Sequence, residues 1–261
     1  MKAFLLSAGL GTRLAPLTDT VPKALVPVLG VAMLDRLAAA LARGGVTEFA
    51  LNTHHFHEIV ERHLHAAQGS GRFAAWPRLP VRLFHEPALL GTGGGLLHAA
   101  SFWGRDPLLV WNADILADLD PAALLAAHGS LPGPLATLAV SDRPASSRLL
   151  FDGAGLLCGI DSPRRNDHRV LRAPSGAVTA RAFHGVSVLS GDLLTALARR
   201  HAPGSVFDLI DALLEAVAEG GRVRAYDAGT SFWASTGTLM ELERLEQGLA
   251  GRPELLSRWT P

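Results

Sequence analysis

Hydrophobic positions along this chain follow two rhythms. Ala3-Phe4-Leu5-Leu6 is an unbroken apolar run closed by Ser7, the pattern of a strand buried on both faces. Met33, Leu34, Leu37, Ala38 and Leu41 then recur at helical spacing, and Gly44-Gly45 stops that helix. Glu48 to Asn52 reads as a second strand. His57 to Ala67 reads as a second amphipathic helix, with Ile59, Val60, His63 and Leu64 inward. Val81 to His85 is a third strand. After it, Gly91-Thr-Gly-Gly-Gly95 opens a helix expected to run through Phe102. Pro107 to Trp111 is a fourth strand, ending at Asn112-Ala113-Asp114. Strands alternating with helices at this spacing predict an α/β fold, a mainly parallel sheet with helices on both faces.

The rhythm changes after about residue 130. Leu135 to Val140, Leu149 to Phe151, Leu156 to Ile160 and Val186 to Leu189 are short strand candidates. Between them, 161–178 is rich in Arg, Pro, Ser and Gly and reads as a mobile loop over a site, or as partly disordered. Helices follow near 190–200 and 206–219, strands at 222–226 and near 231–235, and a helical region at 238–258. No internal repeat appears, and no hexapeptide β-helix array. The simplest division is a single domain over 1–261, with one half to about residue 130 and the other from about 131.

Composition narrows the class. Hydrophobic residues are 48% and charged residues 18% of 261, enough for a substantial core. Net charge is zero with no basic stripe, which argues against nucleic acid as a partner. The single cysteine, Cys158, excludes an internal disulfide and a cysteine zinc site, and reads as a small core residue. The start is too short for a signal peptide, and no apolar run approaches the ~20 residues of a membrane span. A cytoplasmic protein without a membrane partner is expected; the sequence leaves the oligomeric state open.

The candidate chemistry begins right after the first strand. Gly9 and Gly11 permit close backbone approach, and successive N–H groups in such a turn form an anion nest. Arg13 adds a bidentate donor for phosphate oxygens. Lys23 adds a point charge, and only Lys2 and Lys23 among the 24 basic residues are lysines. The loop lacks both G-x-G-x-x-G and a G-K-[ST] ending, so it is neither a dinucleotide nor a Walker A loop. The second glycine loop opens a helix, whose N-terminus attracts anions and polar ligand edges, with Glu86 just upstream. Asp114, at a strand end, suits a hard cation such as Mg²⁺. Asp118 and Asp120 read as capping or solvated groups, His54, His55 and His57 as surface or capping groups before a metal cluster. Trp103, Trp111 and Trp233 read as packing. No G-x-S-x-G elbow points to a hydrolase.

These elements together resemble the sugar-1-phosphate nucleotidyltransferase family, the nucleotide-sugar pyrophosphorylases. Its signature stands here as Ala8-Gly9-Leu10-Gly11-Thr12-Arg13-Leu14-Ala15-Pro16-Leu17-Thr18 and Pro22-Lys23-Ala24-Leu25-Val26-Pro27-Val28. Phe183-His-Gly-Val-Ser-Val-Leu189 and Phe232-Trp-Ala-Ser-Thr-Gly-Thr238 resemble its later segments, and the short length is most similar to its compact uridylyl- and guanylyltransferase group. The resemblance implies a Rossmann-like mixed sheet of the nucleotide-diphospho-sugar transferase type. It also implies Mg²⁺-dependent transfer of a nucleotidyl group from a nucleoside triphosphate to a sugar-1-phosphate. Arg13, Lys23 and Asp114 would be catalytic, with Asp114 the metal ligand. Ala8, Gly9, Gly11, Thr12, Arg13, Lys23, Glu86, Gly91, Thr92 and Gly93 would bind nucleotide. Gly94, Asn112, His184 and Gly185 would bind sugar.

Three departures stand against that pattern. Ser235 takes the place of an Asp that is the family's second metal ligand, and a hydroxyl is a poorer ligand for a hard dication. Ser162 stands where many members have a sugar-phosphate lysine, leaving Arg164 or Arg165 as substitutes. Ala113 replaces a glycine. An active transferase and a nucleotide- or sugar-binding regulatory relative both fit, as does a cytidylyltransferase for a small phosphorylated alcohol or a phosphonate. UTP or GTP is the expected nucleotide.

Overall fold

A computed structural model describes residues 1–70, 79–130 and 133–261. Strand β1 (Lys2–Leu6) leads through the glycine loop to a short hairpin, β2 (Pro27–Val28) and β3 (Val31–Ala32), and helix α1 (Met33–Arg43). Then come β4 (Glu48–Thr53), α2 (His57–Ser70), β5 (Val81–His85), α3 (Gly91–His98) and α4 (Ala100–Trp103). Next are β6 (Leu108–Asn112), β7 (Ile115–Ala117), α5 (Pro121–Gly129), β8 (Ala136–Ser141), β9 (Arg148–Phe151), β10 (Leu157–Ser162) and β11 (Asp167–Val170). The chain closes with β12 (Thr179–Leu189), α6 (Gly191–Arg200), α7 (Leu209–Ala218), β13 (Val223–Asp227), β14 (Trp233–Ser235), α8 (Leu239–Ala250) and α9 (Pro253–Ser257). The expected mixed, mainly parallel α/β architecture is the one observed. Among the described residues no helix is long and apolar enough to cross a membrane.

Two compact units share the chain. The first comprises Met1–Leu89, Trp111–Pro121 and Phe232–Pro261, the second Leu90–Val110 and Ala122–Ser231. The change of rhythm expected near residue 130 falls against residues 131–132, outside the described residues.

In the first unit β4 pairs in parallel with β1 and with β5, in registers that set Leu6 opposite Asn52 and Thr53 opposite His85. Ala113 N–H donates to Leu6 O at 3.0 Å, so the end of β6 lies beside the end of β1. Parallel strands buried on both faces need continuous apolar runs, and Ala3, Phe4, Leu5, Phe49, Ala50 and Leu51 are all fully buried. A second core joins Leu14, Val26, Val28, Met33 and Leu116 to Leu242, Leu245 and Leu249 of α8 and to Trp259. Each such side chain contributes about 1.5–3 kcal/mol on burial. This core anchors the chain beyond the glycine loop, at Leu14 and again at Val26, on either side of the segment that carries Lys23. The buried Arg36 donates to Val28 O and Leu29 O, fixing the β2–β3 turn, and to Trp259 O. Burial lowers its pKa.

The second unit is built on β12, which is antiparallel to β9 through Thr179–Arg181 and to β8 from Ala182 onward. β13 runs parallel to β8, and β10 is antiparallel to β9. The expectation of a mobile or disordered 161–178 is corrected here. β10 runs on to Ser162 and turns into β11, with Ser162 opposite Asp167 and Gly159 opposite Val170. Arg165 pairs with Asp211 at 2.8 Å. Asp152 gathers the remainder: it accepts from Ala154 and Leu156 N–H through Oδ1, and from Ser175 N–H and Arg172 through Oδ2, at 2.8–3.0 Å. Burial pushes the Asp152 carboxyl up, but the hydrogen bonds from Ser175, Leu156 and Arg172 outweigh it and bring the pKa down to about 2. Polar-rich sequence signals exposure; side-chain anchors decide order.

Candidate active site

The glycine loop leaves β1 at Ser7 and turns at Gly11, whose φ of 69° lies in the left-handed region. Leu14 N–H and Thr18 Oγ1 both donate to Gly11 O at 2.8 Å, closing a 3₁₀ turn over Thr12–Leu14. A Cβ on Gly11 would lie 2.8 Å from Thr18 Cγ2 and 3.1 Å from Lys23 Cβ, so the position is closed to side chains. Lys23 begins a second 3₁₀ turn, Lys23–Leu25. Its stem runs past Gly11 and then Gly9, 3.9 Å from where a Gly9 Cβ would sit. Its ammonium donates to Asp114 Oδ2 at 2.5 Å, with the two side chains 17% and 22% exposed. Both groups thus remain open to a ligand. Ala8 is buried; Gly9, Thr12 and Arg13 are exposed. Arg13 enters none of the hydrogen bonds or ion pairs among the described residues.

Asp114 follows β6, and Asn112 is the last residue of that strand. β7 and β14 are antiparallel, with Ser235 opposite Ile115, and Thr236 N–H donates to Asp114 O at 2.8 Å. Ser235 is therefore carried next to Asp114, as its sequence position led one to expect, and its Oγ accepts from Gly237 N–H at 3.3 Å. Glu241, in the first turn of α8, brings a carboxylate to the same place. Its Oε2 is buried, has no hydrogen-bond partner among the described residues, and lies 2.8 Å from a Cβ built on Gly237. Arg13 Nη2 and Ser235 Oγ lie 3.2 and 3.4 Å from that same point. Thr238-x-x-Glu241 reads in sequence as a helix capping box, which conceals this placement. The partly exposed carboxylate of Asp114 suits a hard dication that takes the rest of its shell from phosphate and water.

Glu86 sits at the end of β5 with its side chain fully buried, and Asn52 Nδ2 donates to its Oε1 at 2.7 Å. Asn52 was not singled out in the sequence; the available signal is a polar residue at the carboxyl end of a buried parallel strand. The three histidines that follow β4 do not converge. His54 bonds Glu86 O, His57 Nδ1 meets Thr53 Oγ1, and His55 packs on Phe56. No group of three His, Cys, Asp or Glu is arranged for a metal among the described residues. Cys158, Trp103 and Trp111 are core, as expected.

The remaining candidates belong to the second unit. The start of α3 has an internal occupant: Gly93 and Gly94 N–H both donate to Phe207 O, at 3.0 and 3.2 Å. Thr92 Oγ1 accepts from Leu209 N–H and donates to Asp208. A Cβ on Gly91, Gly93 or Gly94 would lie within 2.5 Å of Phe207 or Ser205 atoms. These glycines admit the 205–208 segment, so at this helix start, expected to attract anions and polar ligand edges, the N–H groups of Gly93 and Gly94 are taken by Phe207 O. His184 and Gly185 fall on a bulge of β12, where Gly185 has φ 74°. His184 is buried and shares a 2.8 Å hydrogen bond with Ser141. Burial, aided by Arg143, lowers its pKa to about 4, so it is neutral at pH 7.

A family model described as nucleotidyl transferase matches residues 2–148. The N-acetylmuramate alpha-1-phosphate uridylyltransferase of Caulobacter vibrioides is 41% identical over 112 residues, 43% of this chain and 45% of that protein. The mannose-1-phosphate guanylyltransferase regulatory subunit alpha of Sus scrofa is 29% identical over 265 residues, 98% of this chain and 56% of that one. The matches thus span about half the length of these curated relatives. A solved UDP-glucose pyrophosphorylase complexed with UDP-glucose has the same fold, with a TM-score of 0.75 at 17% identity, over 96% of this chain and 98% of that chain.

Proposed function

Because the chain belongs to the nucleotidyl transferase family, we propose that it transfers a nucleotidyl group from a nucleoside triphosphate to a sugar-1-phosphate, releasing pyrophosphate. A phosphate oxygen of the sugar-1-phosphate attacks the α-phosphorus in line. The bond from that phosphorus to the α–β bridging oxygen breaks, and pyrophosphate leaves with the electron pair. This chemistry needs positioning and charge neutralisation, with no covalent nucleophile. The observation that carries the reading is the Lys23 ammonium, held 2.5 Å from Asp114 over the glycine loop and still part-exposed. Lys23 neutralises charge at the α-phosphate, while Arg13, in no hydrogen bond or ion pair among the described residues, and the loop N–H groups of residues 9–12 hold the outer phosphates. Asn112 faces the sugar side.

Mg²⁺ is the proposed cofactor, with Asp114 as its protein ligand and substrate oxygens and water completing the shell. Bound there, it would neutralise phosphate charge. Names of the relatives make UTP and GTP the first nucleotides to test; CTP with a small phosphorylated alcohol or a phosphonate is the alternative on this fold. A second reading, a regulatory nucleotide- or sugar-binding protein with little turnover, is favoured by one observation: Ser235 puts a neutral group beside Asp114. Pyrophosphate release, measured with all four triphosphates against a panel of sugar-1-phosphates, separates the two. Turnover with any pair supports the transferase. Nucleotide binding without turnover rejects it in favour of the second reading.

A further inference from the structure

Three adjacent parallel strands end in one polar network. Ser7 follows β1, Asn52 is next to last in β4, and Glu86 follows β5. Ser7 N–H donates to Asn52 Oδ1 at 2.7 Å, and Ser7 Oγ donates to Asn52 O at 2.5 Å. Asn52 Nδ2 donates to Glu86 Oε1 at 2.7 Å. The backbone of Glu86 is fixed in turn: its N–H donates to Thr53 O at 2.7 Å, and its carbonyl accepts from His54 Nδ1 at 2.7 Å. Asn52 is 3% exposed and Glu86 not at all.

We infer that Glu86 is a positioning residue that sets the phosphate loop through Asn52, and does not itself touch the nucleotide. A carboxamide has a donor end and an acceptor end, and rotation by half a turn exchanges them. The Ser7 N–H can only donate, so it needs the Asn52 oxygen. The Glu86 oxygen accepts the Asn52 amino group and holds the amide in that orientation. With Glu86 gone, the buried amino group loses its partner, and the amide loses what fixes its orientation. Ser7 is the last residue before Ala8-Gly9-Leu10-Gly11, so its N–H and hydroxyl fix where the glycine loop leaves the sheet. Glycines leave that loop little stiffness of its own. The anchor at Ser7 therefore sets where the loop N–H groups point. This departs from the nucleotide contact expected of Glu86: the carboxylate is sealed from solvent, and its Oε1 accepts from Asn52.

The inference rests on reading that loop as a phosphate cradle, and the test separates the two. Pyrophosphate has neither base nor ribose, so only the cradle can recognise it. Dissociation constants for pyrophosphate and for the triphosphates are measured by calorimetry on the wild type, Glu86→Ala, Glu86→Gln, Asn52→Ala and the double alanine variant, with thermal melts checking folding. Glu86→Ala is expected to weaken pyrophosphate and every triphosphate by the same factor, at least tenfold. Glu86→Gln, whose carbonyl still accepts from Asn52, should stay within about threefold of the wild type. The double variant should lose no more than either single change, because both act on one chain of contacts. Additive losses, or a Glu86→Ala variant that binds pyrophosphate normally and changes only base preference, overturn the inference. Should Glu86→Ala fail to fold, Asn52→Ala and Asn52→Leu carry the test, and normal pyrophosphate binding by either refutes it. A wild type that ignores pyrophosphate removes the cradle itself.

Discussion

Replacing Lys23 by methionine keeps the stem that lies along Gly11 and Gly9 and deletes only the charge. A unit charge about 4 Å from a phosphoryl oxygen is worth about 4 kcal/mol at an effective dielectric of about 20. Because the Lys23 side chain is 17% exposed, solvent screening leaves about 2–3 kcal/mol. That corresponds to a loss of about 30- to 150-fold in kcat/KM. The change has a second consequence, since Asp114 then faces the incoming phosphates without its 2.5 Å partner. Lys23→Met combined with Asp114→Asn separates the two effects, and the pair should show a combined loss smaller than the product of the single losses. Lys23→Arg should recover little, because a planar guanidinium cannot replace a compact ammonium at the end of this stem. The assay is steady-state pyrophosphate release, with nucleotide affinity measured separately by calorimetry. If Lys23→Met leaves kcat/KM and affinity unchanged for all four nucleotides, the cradle reading is wrong.

The other predictions are independent of one another. Gly93→Ala should cost about 2–3 kcal/mol in denaturant unfolding, because its Cβ would meet the Phe207 ring at 2.3 Å. Adding Phe207→Ala should return part of that loss; no recovery would refute the packing role. The Asp152 carboxyl has its pKa lowered to about 2 in the folded protein, so its contribution is complete above the unfolded value near 4 and is lost as pH falls through about 2. Asp152→Asn should accordingly be less stable by about 1–2 kcal/mol at neutral pH, with the gap closing between about pH 4 and 2; a pH-independent gap would contradict the assignment. Ser235→Asp should tighten Mn²⁺ binding, read by paramagnetic resonance, by about tenfold and raise metal-dependent turnover; unchanged metal affinity would mean that the ion is held elsewhere.

What the sequence made legible was local. The apolar run at residues 3–6 and the helical spacing from Met33 to Leu41 report which faces are buried, and those elements stand where periodicity set them. Residues 8–23 were legible because a glycine turn, an arginine and a lysine lie within one short segment. Illegible were the partners supplied from far away. Nothing in the run from Asp161 to Val178 shows that Asp152 and Asp211 will hold it, since those carboxylates lie on other elements. The link from Ser7 through Asn52 to Glu86 spans three strands, and only the parallel register brings their ends together.

The two glycine loops show how far spacing can carry chemistry. Each follows a strand of the parallel sheet, and each reads as backbone open to an anion or a polar ligand edge. In the first, Gly9 is exposed and Arg13 has no hydrogen bond or ion pair among the described residues, while Gly11 is closed to a side chain by Thr18, Lys23 and its left-handed φ. In the second, Phe207 O takes the N–H groups of Gly93 and Gly94, and Ser205 and Phe207 fill the space that side chains would occupy. A glycine thus reports only that something comes close. Whether that something is a ligand or the protein itself depends on whether a distant segment arrives to satisfy the N–H groups, because a buried helix start cannot leave them bare. The charged residues decide between the cases: the first loop carries Arg13 and Lys23 and retains a partner-seeking charge, whereas 91–95 carries no charge that an internal carbonyl would leave unsatisfied.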